Sequence, residues 1–268
     1  RGRKIPMCEA ISHPMCGLKF YKIHCVPANV KFILGSSLEF DYLEKHIRNI
    51  FEKLPKVVKI KKSLFTNKSM TSFSVNAIQK QTQQAYFLLS FPSYAGSDLY
   101  KAWQYGFVMD ILYEELNKWL RIKNGLVYEL GAGLTTLTKN TGFAYIQSSC
   151  SVADLQKVLE VIFKKISSLK KGKIDMKDFE RLRNIGNKTL PMGFDTLSGA
   201  IDWCKISFYE KRKIYSPEYV LKVRNKVTQK DLGSVSKTLF DYKNLNLVSL
   251  GPISKKDLEK IVNPIGRV

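Results

Sequence analysis

The sequence predicts an α+β fold in which an antiparallel sheet is covered by helices on one face. Its predicted strands come in pairs that are separated by runs of helices, and this order differs from the strand–helix alternation of a doubly wound sheet. With 268 residues, 44% hydrophobic and 25% charged, the chain has a globular composition and enough apolar residues for a core. We therefore expect one large domain or two modest ones.

Six short segments predict the strands of this sheet. They are residues 29–34, 72–78, 85–91, 126–136, 142–149 and 245–251. Gly35 ends the first strand and Gly251 ends the last. A turn-forming run at 139–142 separates the fourth strand from the fifth, so these two are expected to pair as antiparallel neighbours.

Apolar residues at three- and four-residue spacing predict the helices. The clearest amphipathic pattern runs from Val152 to Leu169. The longest helix is predicted from Ser97 to Ile122, and its charged residues are too many for a membrane span. Further helices are predicted at 175–188, 196–211, 217–224 and 229–240, and Pro55 ends the helix that follows Gly35.

The end of the chain repeats its beginning. Residues 245–262 read as a strand, a glycine, a helix cap at Ser254 and an amphipathic helix, and residues 29–47 have the same order with Ser37 as the cap. We therefore expect three regions. They are an irregular segment at 1–27 that ends a preceding region, an α+β domain at 28–244, and a closing strand and helix at 245–268 that repeat the 28–54 unit.

Composition bears on partners and compartment. Lys and Arg number 44 against 23 Asp and Glu, and a net charge of +21 is typical of polyanion-binding proteins. The lysines are dispersed without a long basic run, so a solvated surface is the simpler interpretation and a basic polyanion-binding module is the weaker alternative; nucleic acid is not the expected partner. Five cysteines without a CxxC pair favour an intracellular reducing compartment, the mitochondrion included.

Two other patterns are candidate sites. Five possible zinc ligands lie near the start of the chain: Cys8, His13, Cys16, His24 and Cys25. Their spacing matches no structural zinc pattern, so we expect no metal there. Gly131-Ala-Gly133 lacks the spacing of a nucleotide loop before a helix and is interpreted as part of a strand.

The most informative motif is Leu120-Arg121-Ile122-Lys123-Asn124-Gly125-Leu126-Val127-Tyr128. It places an arginine near the end of the long helix and a tyrosine just beyond a glycine turn. Guanidinium and phenol groups both donate hydrogen bonds, and such a pair can jointly bind a peptide carbonyl. Arg121 and Tyr128 are therefore candidate donors to a peptide carbonyl.

With three further patterns, this motif resembles the C-terminal-type domain of the pitrilysin, insulin-degrading enzyme and mitochondrial processing peptidase family of zinc peptidases. The four patterns are Phe20 to Gly35 followed by a helix, Leu120 to Tyr128 as "LRxxxGLxY", Gly142 to Ile146 before a helix, and Val227 through Gly251. They occur in the family's order and span most of the chain.

The resemblance implies that the domain is part of a clamshell that closes around an unstructured peptide. The family's zinc lies on one half, in a helix with the motif His-x-x-Glu-His, and the other half supplies an arginine and a tyrosine that hold the substrate backbone. By resemblance these are Arg121 and Tyr128, which would stabilise charge on the substrate carbonyl. The resemblance implies no catalytic residue and no cofactor in this chain, with zinc on the missing half or partner.

The sequence departs from the family in its histidines. His13, His24 and His46 form no His-x-x-Glu-His motif, although a catalytic zinc takes about three protein ligands. Two expectations stay open. The chain is either the substrate-clamping or partner portion of a zinc metalloendopeptidase that cleaves peptides or unstructured proteins, or a catalytically inactive subunit that scaffolds a complex or binds peptide. The expected partner is a half or subunit with His-x-x-Glu-His, in the same longer chain or in a homo- or heterodimer, and the inactive subunit would form a stable complex without zinc-dependent cleavage.

Overall fold

A computed structural model describes residues 14–53, 73–138, 141–211 and 213–265. The described residues divide into two compact units. The first unit comprises residues 14–53 and 196–202, and the second comprises 73–138, 141–195, 203–211 and 213–265.

The first unit is built from helices. Its elements are α1 (Pro14–His24), a 3-10 turn (Pro27–Asn29) and α2 (Phe40–Phe51), with the first residues of α6 (Leu197–Lys211). The helix α1 corrects the expectation that the segment 1–27 is irregular; residues 1–13 lie outside the described part. α2 begins at Phe40 with Glu39 before it, so Ser37 is not its cap.

The strand predicted at 29–34 is wrong. Val30 is extended, with φ −92° and ψ 140°, but residues 30–36 belong to no strand. The physical reason is that a strand needs a hydrogen-bonded neighbour, and no described segment pairs with this one. Residues 30–36 therefore form no strand that corresponds to β5, although a helix follows each of the two segments.

The second unit contains the sheet. Its elements are β1 (Ser74–Gln79), β2 (Ala85–Ser93), α3 (Leu99–Leu116), a π-helix (Asn117–Lys123), β3 (Leu130–Thr138), β4 (Thr141–Cys150), α4 (Val152–Lys170), α5 (Met176–Met192), the rest of α6, α7 (Pro217–Arg224), α8 (Gln229–Leu239), a 3-10 turn (Tyr242–Asn244), β5 (Asn246–Gly251) and α9 (Lys255–Ile265). Apart from the strand at 29–34, the predicted elements in the described residues are present. The main shift is β3, which starts at Leu130 and not at residue 126.

The sheet has the strand order β1–β5–β2–β4–β3. β2 pairs antiparallel with β4 and β5, and β3 pairs antiparallel with β4. β1 and β5 are parallel, which corrects the expectation of a purely antiparallel sheet. The last strand in the chain thus lies between the first two, and it closes the unit.

One face of the sheet is covered by helices and the other is open, which confirms the predicted fold class. Phe87, Leu89 and Ile146 point to the covered face and are buried. α3 packs against β3, α8 against β2 and α9 against β1. On the open face Tyr86 and Ile78 are about half exposed.

The helix α4 shows why the amphipathic pattern was reliable. Ser151 caps its first turn by accepting a hydrogen bond from the Asp154 amide at 3.1 Å. Seven apolar residues at helical spacing are then buried in the core: Leu155, Val158, Leu159, Ile162, Phe163, Ile166 and Leu169. Burial of this stripe fixes α4 in the core, where it packs mainly against α3 and α8.

Candidate functional site

Arg121 lies in the last turn of the π-helix that continues α3. Leu112, Leu116 and Leu120 are fully buried at four-residue spacing. The i→i+5 hydrogen bonds of a π-helix take more residues per turn than those of an α-helix, so Leu120 stays on the buried face. Arg121 and its two successors are consequently left in solvent. No sequence pattern indicated this change of helix type.

A glycine turn then brings the tyrosine back beside the arginine. The amide of Gly125 donates to the Arg121 carbonyl at 3.2 Å, and the amide of Leu126 donates to the Leu120 carbonyl at 2.8 Å. Gly125 has φ +58°, in the left-handed region that glycine adopts without strain. Val127 is buried two residues after it, whereas Tyr128, at a bend before β3, is exposed.

The two candidate residues form a pair on the surface. The guanidinium carbon of Arg121 lies 6.0 Å from the centre of the Tyr128 ring, within range of a weak cation–π contact. The Tyr128 side chain is 83% exposed. In the described part of the chain, neither side chain makes a hydrogen bond or an ion pair. Their donors are therefore free to bind a carbonyl or carboxylate oxygen of a ligand.

The open face of the sheet carries a shallow concavity that reaches Glu129, the residue next to this pair. Its volume is about 480 Å³, and Tyr86, Val248 and Gln147 are among its lining residues. The Ser148 hydroxyl donates to the Glu129 carbonyl and so ties this loop to β4. Sequence reasoning missed the concavity. A signal was present, because β2 and β5 carry apolar residues at successive positions and would bury only one face.

Within the described part of the chain, the remaining candidate groups do not assemble into a catalytic centre. Among the described residues, no three His, Cys, Asp or Glu side chains lie close enough to hold a metal. The His24 ring stacks on that of Phe20, with 4.1 Å between ring centres, and the rings of His46 and Tyr42 have centres 4.5 Å apart. Burial raises the pKa of the Cys150 thiol to about 12, which keeps it protonated and unsuited as a nucleophile.

Parts of the zinc-ligand set lie outside what the structure describes. This applies to Cys8 and His13 and to the side chain of Cys16.

Among the described residues, none of the helices is both long and apolar enough to cross a membrane.

Substitution of Gly125 tests how the turn holds the pair. Gly125→Val is expected to lower the free energy of unfolding by about 1–2 kcal/mol, because a β-branched residue is strained at positive φ. Gly106→Ala is the control, since Gly106 lies inside α3 and a methyl group added there would meet open space. It is expected to raise that free energy by up to about 1 kcal/mol. Urea denaturation of both variants measures the two changes, and the same sign for both would contradict the assignment of Gly125.

The family model of the peptidase M16 inactive domain matches residues 18–185. This match covers more than half of the chain and confirms the family that the four sequence patterns indicated. No curated protein sequence matches the chain significantly.

Three solved structures share the fold. A protease from Helicobacter pylori matches with a TM-score of 0.77 and 14% identity, over 90% of this chain and 59% of its own. The first half of the periplasmic protease PqqL from Escherichia coli matches with a TM-score of 0.74 and 11% identity, over 95% of this chain and 60% of its own. The ferredoxin protease FusC, in complex with Arabidopsis ferredoxin, matches with a TM-score of 0.62 and 15% identity, over 81% of this chain and 24% of its own.

The chain spans about 60% of the first two of these proteins and about a quarter of the third. At such identities the likeness is one of fold. The family match and this shared fold agree, and the chain belongs to the peptidase M16 family as a domain of the inactive type.

Proposed function

We propose that this chain is the substrate-clamping portion of a zinc metalloendopeptidase that cleaves peptides or unstructured proteins. The observation that carries the proposal is the Arg121–Tyr128 pair, exposed, adjacent and without other partners in the described residues. In this role both donors bind the backbone carbonyl of the substrate. They would favour the state in which negative charge has built up on that oxygen.

The described residues do not fit a zinc site, since no suitable group of ligands is present among them. Zinc and the general base are therefore assigned to a partner half with the motif His-x-x-Glu-His. The contribution of this chain is to bind and orient the substrate. Correct positioning of the carbonyl lowers the barrier because less orientational freedom is lost in the reaction.

An apolar face on the first unit supports a partner half. Phe32, Leu34 and Phe40 lie around a concavity of about 680 Å³ between residues 30–36 and α2. Phe40 is 72% exposed and Leu34 is 53% exposed. An exposed apolar patch of this kind is typical of a surface that binds another protein segment.

The second unit indicates what would cover this face. β5 and α9 have the same sequence pattern as residues 29–47, but β5 is hydrogen-bonded on both sides, by β1 and β2. The helix α9 packs against β1 and α4. By this internal comparison, we expect residues 30–36 and α2 to be covered by strands and a helix of another sheet. We assign that sheet to the zinc-bearing half.

A protein substrate is consistent with one of the related folds. The ferredoxin protease FusC was solved with ferredoxin bound. We extend this to the present chain only as a class, a peptide or protein in extended form, held at its backbone. We also propose a reducing intracellular compartment, the mitochondrion included, because Cys25, Cys150 and Cys204 are free thiols.

A second candidate function is a catalytically inactive subunit that scaffolds a complex. The large apolar face of the first unit favours it, because permanent interfaces are more apolar than transient ones. In this case the Arg121–Tyr128 pair binds a peptide without cleavage or only packs on a partner.

The test uses the natural protein, purified with any subunit that stays bound to it. We expect cleavage of an unstructured fluorogenic peptide that is lost with a zinc chelator and restored by zinc, while the 268-residue chain alone cleaves nothing. A stable complex with no zinc-dependent cleavage would reject the peptidase and support the scaffold. Intact mass identifies whether the zinc-bearing half is part of the same polypeptide.

A further inference from the structure

A basic concavity lies at the C-terminal end of α4, on the side of the second unit that carries the helices. Its volume is about 470 Å³. Its lining residues are Glu160, Phe163, Lys164, Ser167, Ser168, Lys171, Lys173, Tyr242 and Pro264. Its lining on α4 begins at Glu160, roughly 14 Å along the helix from Ser151, and it shares no residue with the Arg121–Tyr128 pair.

Five polar side chains of this concavity, three lysines and two serines, are donors without partners in the described residues. In the described residues, the ammonium groups of Lys164, Lys171 and Lys173 make no ion pair, and the hydroxyls of Ser167 and Ser168 make no hydrogen bond. Their neighbours differ. Lys165 is paired with Glu115 at 3.2 Å, and Lys170 lies 4.2 Å from the centre of the Tyr242 ring. The lining lysines are thus the ones left available.

Two negative features oppose an anion at this place. The Glu160 carboxylate is part of the lining, although it accepts a hydrogen bond from the Gln156 amide at 2.9 Å. The C-terminal end of a helix also carries partial negative charge. Here the carbonyls of Ser167 and Ser168 already accept backbone hydrogen bonds from Lys171 and Lys173. Three ammonium groups against one carboxylate leave a net positive site.

The remaining walls are apolar. Tyr242 packs edge-on against the buried Phe163, with 5.6 Å between ring centres, and Pro264 of α9 is also part of the lining. Lys170 makes a cation–π contact with the Tyr242 ring and helps to hold the ring in place. A ligand that fits would place an anionic group on the lysines and an apolar group along these rings. The volume falls in the usual range for small-molecule sites.

We propose that this concavity binds a ligand with a phosphate or pyrophosphate group and an apolar body. The argument is charge complementarity. Three lysines and two serine hydroxyls match a group with several oxygens and more than one negative charge, and lysine binds phosphate as a point charge. The site is independent of the proposed clamping function, so either can fail alone.

Calorimetric titration of the 268-residue chain tests the proposal. The probes are inorganic pyrophosphate and ADP at about 0.15 M ionic strength, where dispersed surface charges are screened. We expect saturable binding of both, with ADP tighter because its base adds apolar contact. The variant Lys164→Gln/Lys171→Gln/Lys173→Gln is expected to bind both at least tenfold more weakly. These lysines are exposed, so the fold should be unchanged by circular dichroism.

The matched control is Lys188→Gln/Lys222→Gln/Lys237→Gln, which removes the same charge from exposed positions outside the concavity. It is expected to bind within about twofold of the unsubstituted chain. An equal loss in both triple variants, or no saturable binding of either probe or of vesicles, would overturn the proposal. Lysine-dependent binding to vesicles that contain a phosphatidylinositol phosphate, with none to ADP, would identify a lipid headgroup as the source of the phosphate.

Discussion

Replacement of Arg224 by alanine is expected to lower the free energy of unfolding of the second unit by about 3–5 kcal/mol. Arg224 ends α7 and is only 3% exposed. Its guanidinium donates to the carbonyl of Arg183 at 2.8 Å and to that of Leu182 at 3.0 Å, and to the side-chain oxygen of Asn187 at 3.1 Å. The large cost follows from the loss of these charge-assisted bonds together with the cavity.

The charge of Arg224 is held without an ion pair among the described residues. Burial lowers the pKa of its guanidinium, and the Asp110 carboxylate opposes that shift. The guanidinium carbon lies 4.4 Å from the centre of the Phe107 ring and 5.2 Å from that of Trp103. These aromatic faces attract the cation and join α7 to α3. Urea denaturation followed by tryptophan fluorescence measures the change.

Arg181→Ala is the matched control for this prediction. Arg181 lies on α5 in the same unit and has two ion pairs, with Glu114 at 3.0 Å and with Asp178 at 3.5 Å, but its side chain is 44% exposed. Solvent screens such pairs, so the expected loss is at most about 1 kcal/mol. If Arg181→Ala and Arg224→Ala lowered the free energy of unfolding equally, burial of Arg224 would not explain its effect.

Combining a substitution of Gly186 with Arg224→Ala tests whether these two residues interact. A methyl group at Gly186 would collide with the Arg224 guanidinium. Gly186→Ala alone is therefore expected to cost about 1–3 kcal/mol, as other overpacked substitutions do. In the Arg224→Ala background the collision is gone, and alanine should stabilise α5 by up to about 1 kcal/mol relative to glycine. Additive effects would show that the two residues do not interact.

The second large effect is expected on catalysis by the zinc peptidase that we propose above. Arg121→Ala should lower kcat/KM by about 10²-fold, which is the usual loss when one preorganised donor to a developing oxyanion is removed. Tyr128→Phe should lower it less, because one hydroxyl donor is lost while the ring remains beside Arg121. If the donors act mainly in the transition state, kcat falls and KM changes little.

Lys123→Ala is the control for Arg121. Lys123 is an exposed cation at the end of the same π-helix, and its loss removes equal charge. It is expected to leave kcat/KM within about threefold, because a solvent-exposed charge away from the bound carbonyl is screened. Unchanged turnover in Arg121→Ala would remove the clamping role and leave packing as the function of the pair.

The helices could be predicted because their signal is local. Seven buried positions of α4 repeat at helical spacing, and the caps at Ser151 and Thr228 lie one residue before their helices. The Arg121–Tyr128 pair could also be predicted, since a helix end and a glycine turn fix both residues within one short segment. The π-helix could not, because its i→i+5 pattern depends on Leu120 reaching the core with Leu116.

The sequence by itself determined the family, the helices, most strands and the position of the candidate pair, because these depend on periodicity and on residues close together in the chain. Only the tertiary structure decided the parallel insertion of β5 beside β1, the lack of a described strand partner for residues 30–36 and the burial of Arg224. The physical reason is that a strand, a buried charge and an open apolar face are each defined by partners distant in sequence, which no local pattern specifies.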